Sequence, residues 1–130
     1  MIKSFLERVE KPWGFELILT PPEAPFTGKI LHINQSARWS YQYHEKKQET
    51  LCLINGRAKI VFNDHDEEME LKKGYLIKPL DKHRVQSITD CDLFEVSTKE
   101  EGTTVRLQDD YKRPDETEEL RKQPNRGWQK

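Results

Sequence analysis

The strongest constraint in this chain is the rhythm of its middle. Short runs rich in Val, Ile, Leu, Phe and Tyr recur in quick succession, and turn formers close them. Strands are predicted over 15–20, 29–34, 39–43, 50–54, 57–62, 68–71, 75–78, 83–88 and 93–97. Several alternate apolar with polar residues, as a strand does when one face is buried. Pro21, Pro22 and Pro25 make 21–27 a loop. Asn55-Gly56 lies between two apolar runs and predicts a type I′ hairpin, whose central residues both need positive φ. Asn63-Asp64-His65-Asp66, Lys73-Gly74 and Pro79-Leu80-Asp81-Lys82 are further turns. Eight or nine strands at this spacing predict an all-β sandwich or barrel of antiparallel strands.

The ends read differently. Residues 1–12 carry mixed charge and finish at Pro12, and 108–114 form a polar arm. Asp115 is predicted to cap a short helix over 116–122, with acids first and bases last, as the helix dipole prefers. Pro124 stops it. Residues 124–130 are expected to be loose, with Trp128 available for docking. The 130 residues match the modal size of one domain, so 1–130 is read as a single unit. The barrel is assigned to about 11–107, and the arm and tail to 108–130.

Composition narrows the function classes. Hydrophobic residues are 34% of the chain, below the roughly 45–50% apolar share, Gly included, of an average globular protein. A small core or polar ends would explain this. Basic and acidic residues number 22 and 23, for a net charge of −1. No global charge draws the chain to nucleic acid or to an anionic membrane, and neither is expected as a partner. The longest apolar run, Leu51-Cys52-Leu53-Ile54, is far shorter than the about 20 residues of a membrane helix. Residues 1–10 have neither the apolar stretch nor the cleavage site of a secretory signal. Cys52 and Cys91 allow one disulfide but not a stapled scaffold. A reducing, cytoplasmic setting is the expectation.

One constellation carries chemistry. On a strand, Gln42 and His44 point to the same face. Glu49 opens the next strand and can return beside them. Pro79-Leu80-Asp81-Lys82-His83 then delivers a second histidine at a strand start. Two imidazoles, a carboxylate and an amide oxygen in a barrel mouth make a candidate divalent metal site. Such mixed N/O donors suit Zn, Fe, Mn, Co or Ni. Glu45 and Asp81 are rival carboxylates, with Glu45 ranked lower because it neighbours His44 and faces the other way.

These residues resemble a known family. Gln42-x-His44-x4-Glu49-x6-Gly56 is similar to the first cupin motif, with Gln in place of its first His. Gly74-x4-Pro79-x3-His83 is similar to the second, one residue short on either side of the proline. More closely, the chain resembles the cupin domain of type II mannose-6-phosphate isomerases. The shared pieces are Lys11-Pro12-Trp13-Gly14, Gly28-Lys29-Ile30, Ser40-x-Gln42-Tyr43-His44, Glu49 with Asn55-Gly56, His83-Arg84, Glu95-Val96-Ser97 and Val105-Arg106-Leu107-x-Asp109-Asp110-Tyr111-x-Arg113. They span residues 11 to 113. Two departures stand out. Glu45-Lys46-Lys47 replaces a His-rich run, and Pro79-Leu80-Asp81-Lys82-His83 replaces P-x-G-x-x-H.

The resemblance implies a cupin double-stranded β-helix, a jelly-roll barrel with a polar C-terminal arm and short helix. It implies Gln42, His44, Glu49 and His83 as ligands of one divalent metal, Zn first, with Mn, Co, Fe or Ni open. It implies a sugar-phosphate aldose–ketose isomerase acting in sugar-nucleotide or polysaccharide precursor metabolism. Lys29, Arg84 and Arg113 are then the candidates for charge stabilisation and phosphate binding. The base stays open among Glu16, Lys29 and a metal-bound hydroxide. A small sugar phosphate is the expected substrate, and a homodimer the expected assembly. Other readings are a non-haem metal dioxygenase, a sugar- or metal-binding cupin without turnover, and a metal-free epimerase, against which Gln42-x-His44 argues.

Overall fold

A computed structural model describes residues 2–129. Eleven strands and one short helix are present: β1 Glu7–Lys11, β2 Gly14–Ile18, β3 Phe26–Ile33, β4 Tyr41–His44, β5 Glu49–Asn55, β6 Ala58–Phe62, β7 His65–Glu68, β8 Gly74–Ile77, β9 His83–Ser87, β10 Cys91–Thr98, β11 Thr104–Gln108 and α1 Glu118–Arg121. They form two antiparallel sheets, ordered β1-β2-β3-β10-β5-β8 and β11-β4-β9-β6-β7. The core is a layer of inward side chains: Leu31, Ile33, Leu51, Leu53, Ile60, Ile77, Val85 and Leu93, with Trp13 and Trp39. Each fully buried aliphatic side chain here contributes about 1.5–3 kcal/mol.

Three strands show how the interior is divided. In β3, Lys29 is in phase with Leu31 and Ile33; in β5, Glu49 with Leu51 and Leu53; in β10, Glu95 with Leu93 and Cys91. Register aligns them, since Lys29 opposes Glu95 and Leu31 opposes Leu93. One end of the sandwich is therefore apolar and the other charged. This explains the low apolar share of a folded chain: part of its interior is ionic.

The structure corrects several sequence expectations. Asn55-Gly56 is not a hairpin. β5 and β6 belong to different sheets, so this turn carries the chain from one sheet to the other. Only Gly56 has positive φ there, at 77°. A Cβ at Gly56 would lie 2.3 Å from the Asp90 carbonyl oxygen. Gly56→Ala is expected to cost about 3 kcal/mol through strain and clash, read as a clear fall in Tm. The two-residue hairpin is Asn63-Asp64, with both φ positive, at 45° and 69°. His65 therefore starts β7 and is not a turn residue, and the predicted strand at 68–71 lies at 65–68. β1 and β11 were not among the predicted strands, because charged residues hide their alternation. The helix begins at Glu118 with Thr117 as its cap, not Asp115. Glu116 exchanges both backbone hydrogen bonds with Thr104, each 3.0 Å, so its backbone cannot join the helix. The tail is packed: Pro124–Gly127 forms a 3-10 turn, and Trp128 meets Tyr111 edge-on at 6.2 Å. Both cysteines are free thiols. Among the described residues, no helix is long and apolar enough to cross a membrane.

Candidate metal centre and charged chamber

The charged end of the sandwich encloses a chamber of about 60 Å³. β4 supplies Gln42 and His44, β5 supplies Glu49, and β9 supplies His83. Gln42 pairs with His83 across β4 and β9, and with Arg106 across β4 and β11. Donor atoms of His44, Glu49 and His83 all lie within 4.8 Å of one another, and all three residues are buried. Glu49 Oε1 is 3.2 Å from His44 Nε2 and 3.0 Å from His83 Nε2.

The outer nitrogens decide what these atoms present. His83 Nδ1 lies 3.0 Å from the Asp81 carbonyl oxygen. A carbonyl only accepts, so Nδ1 carries a proton, and Nε2 is the nitrogen turned toward Glu49. That nitrogen is buried and has no hydrogen-bond partner, although Glu49 is close. His44 Nδ1 is 2.8 Å from Thr104 Oγ1, and its Nε2 also faces Glu49. Backing the outer ring nitrogen with an oxygen is how proteins orient imidazoles toward a metal. Lone pairs facing a carboxylate repel unless a proton or a cation lies between them. The donors therefore fit a divalent ion. Burial, then Lys47, lowers the His44 pKa to about 4, so the ring is neutral and ligand-competent near neutral pH.

Gln42 lines the chamber, and its Oε1 accepts from Ser40 Oγ at 2.6 Å. Glu45 faces away, binding the Thr103 N–H, and the Asp81 carboxylate accepts from Lys78 N–H. Lys29 and Arg113 line the chamber. Arg84 does not: it follows His83 in β9, and alternation turns it to the opposite face. Its Nε donates to the Trp39 carbonyl, 3.0 Å away.

Sequence reasoning missed most of the charges that share this space. Lys47 Nζ is 3.2 Å from Glu49 Oε2 and 3.3 Å from Glu95 Oε2. Lys29 Nζ is 3.2 Å from Glu16 and 2.9 Å from Glu100. Arg126, from the tail, forks onto Glu100 at 2.7 and 2.8 Å and reaches Glu116 at 3.1 Å. Burial opposes the charge on Lys47, but Glu49, Glu95 and Glu100 outweigh it and hold the amine protonated above the lysine norm. Burial likewise opposes ionisation of Glu49, but Lys47 and His44 hold it well below the carboxylate norm. Burial and the Glu49 charge push Glu95 up to about 7. Such a network adds little net stability, because desolvation offsets attraction. A legible signal existed: Lys29, Glu49 and Glu95 are charged residues at inward positions of apolar strands. No local pattern pointed to Glu100 or Arg126.

No family model matches the sequence, and no curated protein does. Solved structures do match. An RmlC-like cupin from Shewanella frigidimarina NCIMB 400 has a TM-score of 0.64 at 10% identity, over 72% of this chain and 84% of that one. KdgF from Halomonas sp. has 0.64 at 11%, over 73% and 86%. A sugar phosphate isomerase from a cupin superfamily, from Silicibacter pomeroyi, has 0.57 at 15%, over 68% and 62%. The chain has the cupin fold. At these identities the likeness concerns the fold alone.

Proposed function

We propose that the protein is a metal-dependent sugar-phosphate isomerase of the mannose-6-phosphate type. One observation carries this reading: the imidazoles of His44 and His83 and the Glu49 carboxylate converge within 4.8 Å beside a chamber lined by charged side chains. His44, Glu49 and His83, with Gln42 beside them, would hold a divalent metal, which would supply a Lewis acid for a sugar carbonyl. Zn comes first, and Mn, Co, Fe or Ni suit the same donors.

The chain's own residues do the rest. Aldose–ketose isomerisation moves a proton between C2 and C1, so it needs a base that titrates near neutral pH. Glu16 is a poor one: burial opposes its charge, but Lys29 and Lys11 hold it ionised. Lys29 is no better: burial and Arg126 oppose its charge, but Glu100 and Glu16 hold it protonated. Glu95, poised near 7 in the same chamber, takes the base role. Arg113 and Arg106 bind the phosphate, since guanidinium forks match its oxygens. Arg113 is steadied by Asp109, 2.9 Å away, and Arg106 keeps its Nε unpartnered though buried. Lys29 acts by ordering Glu16 and Glu100. In this reading the protein works in the cytoplasm as a homodimer, in sugar-nucleotide or polysaccharide precursor metabolism. The fold-level likeness to sugar phosphate isomerase cupins supports it.

The test is to purify the protein without added metal and measure its metals. Mannose-6-phosphate conversion to fructose-6-phosphate is then assayed with Zn, Mn, Co and Fe each added back. Turnover is expected with at least one ion, and is expected to vanish in His83→Ala while the far-UV spectrum persists. Bound metal without turnover on any sugar phosphate would sink the isomerase reading. It would favour the second one, a binding cupin, for which the small chamber already speaks.

A further inference from the structure

The free space in the chamber is small. Its 60 Å³ compares with the roughly 300–1,000 Å³ of small-molecule sites. The chain's own C-terminal segment forms part of the chamber wall. Glu116 and Arg126 are both lining residues, and the Arg126 side chain is only 9% exposed.

The segment's attachment is unlike that of the barrel. Glu116 is bridged to Thr104 by two backbone hydrogen bonds. Beyond it, every backbone–backbone hydrogen bond among the described residues of 117–129 stays inside the segment. Neither α1 nor the 3-10 turn buries a residue. Polar side chains hold it to the barrel. Arg121 donates to the Glu100 and Gly102 carbonyl oxygens, at 3.2 and 3.1 Å. Glu118 accepts from Gly102 N–H, and Asn125 from Glu10 N–H, both at 2.9 Å. Arg126 forks onto Glu100 and also meets Glu116 and Glu16. The reach of Arg126 is set by local backbone: Asn125, Arg126 and Gly127 all have positive φ, at 49°, 52° and 82°. Non-glycine residues hold that conformation only when their surroundings demand it. Trp128 adds one aromatic contact, on Tyr111.

A segment with a single aromatic anchor, few backbone ties to its neighbours and an ionic latch belongs to the low-stability end of a structure's opening spectrum. We infer that residues 117–129 form a strap hinged at Glu116 and latched by Arg126, and that ligands reach the chamber when this strap swings away. The inference stands whether the ligand is a sugar phosphate or something else.

The test uses the full chain and needs neither metal nor turnover. Hydrogen exchange followed by mass spectrometry should show strap amides exchanging faster than those of β3, β5 and β10. Arg126→Ala should speed strap exchange about tenfold, equivalent to roughly 1.4 kcal/mol of lost closure, and leave the three strands unchanged. In a Trp128→Phe background the tryptophans left are Trp13 and Trp39, both lining the chamber. Their quenching by acrylamide should rise several-fold when Arg126→Ala is added. Arg126→Lys, which keeps the charge and loses the fork, should shift both readouts the same way by less, and serves if the alanine variant does not fold. Strap and core amides exchanging together in the wild type would mean that the segment opens only on global unfolding. That result, or exchange and quenching unmoved by both substitutions, overturns the strap.

Discussion

Glu49→Gln is expected to lower the affinity of the chain for divalent metal at least a hundredfold, about 2.7 kcal/mol. The variant keeps the size and shape of the side chain and removes one charge. That charge is the only anionic donor of the set, because imidazole and amide donors carry no negative charge. Lys47 makes its loss worse. Its ammonium stands 3.2 Å from Glu49 Oε2 and is held protonated by two further carboxylates. With the carboxylate gone, a dication entering the site meets the Lys47 ammonium, which keeps only Glu95 and Glu100 as partners. At an effective dielectric near 20, a pair of unit charges about 4 Å apart interacts by about 4 kcal/mol. The measurement is competition against a chromophoric chelator, with metal per chain counted by elemental analysis. Affinity kept within threefold would mean that no metal is held where the three donors converge.

Glu95→Gln is expected to stabilise the metal-free protein above neutral pH and to remove turnover. The Glu95 pKa rises from its ordinary 4.5 to about 7, because burial and the Glu49 charge disfavour its anion. A carboxyl raised in the folded state binds more protons folded than unfolded between those values. Stability is therefore lost as pH rises from 4.5 through 7, by about 3 kcal/mol in all. His44 has the opposite sign. Its pKa falls from 6.5 to about 4, chiefly through burial. The unfolded chain then binds more protons over that window, and stability is lost as pH falls from 6.5 to 4. The two slopes nearly cancel, so the wild type should show a flat profile between pH 4.5 and 6.5. Glu95→Gln removes one of them. Its denaturation midpoint should climb steadily from pH 4 to 6.5 and exceed that of the wild type at pH 8. Chemical denaturation across pH reads the first effect, and the isomerase assay reads the second. A parallel pH profile would show that Glu95 does not titrate there. Full turnover in the variant would remove it as the base.

Much of this molecule was legible along the chain. Eight of the nine expected strands lie where alternation and turn residues put them, the strand expected at 68–71 lies at 65–68, and the all-β class followed from their number and spacing. The motif residues Gln42, His44, Glu49 and His83 were marked as a group, and the structure brings them to one wall. Pairing was not legible. Asn55-Gly56 has the local chemistry of a hairpin, but strand partners are chosen by burial of whole faces, and those faces belong to different sheets. Charged strands were hidden for a related reason. In β1 and β11 the inward side chains include Lys11 and Arg106, whose ion partners are supplied by the distant Glu116. Arg84 shows the limit of reasoning by adjacency, since one step along β9 reverses the face on which a side chain appears.

The sequence by itself determined the strand rhythm and the turn positions, because each depends on neighbours within a few residues. The tertiary structure decided which charges share the chamber and what closes it. Lys29, Glu95 with Glu100, and Arg126 come from three separate parts of the chain, and Arg126 lies 26 residues from the Glu100 it latches. A buried charge can be read only with its counter-ion, and that counter-ion is known only once the chain has folded.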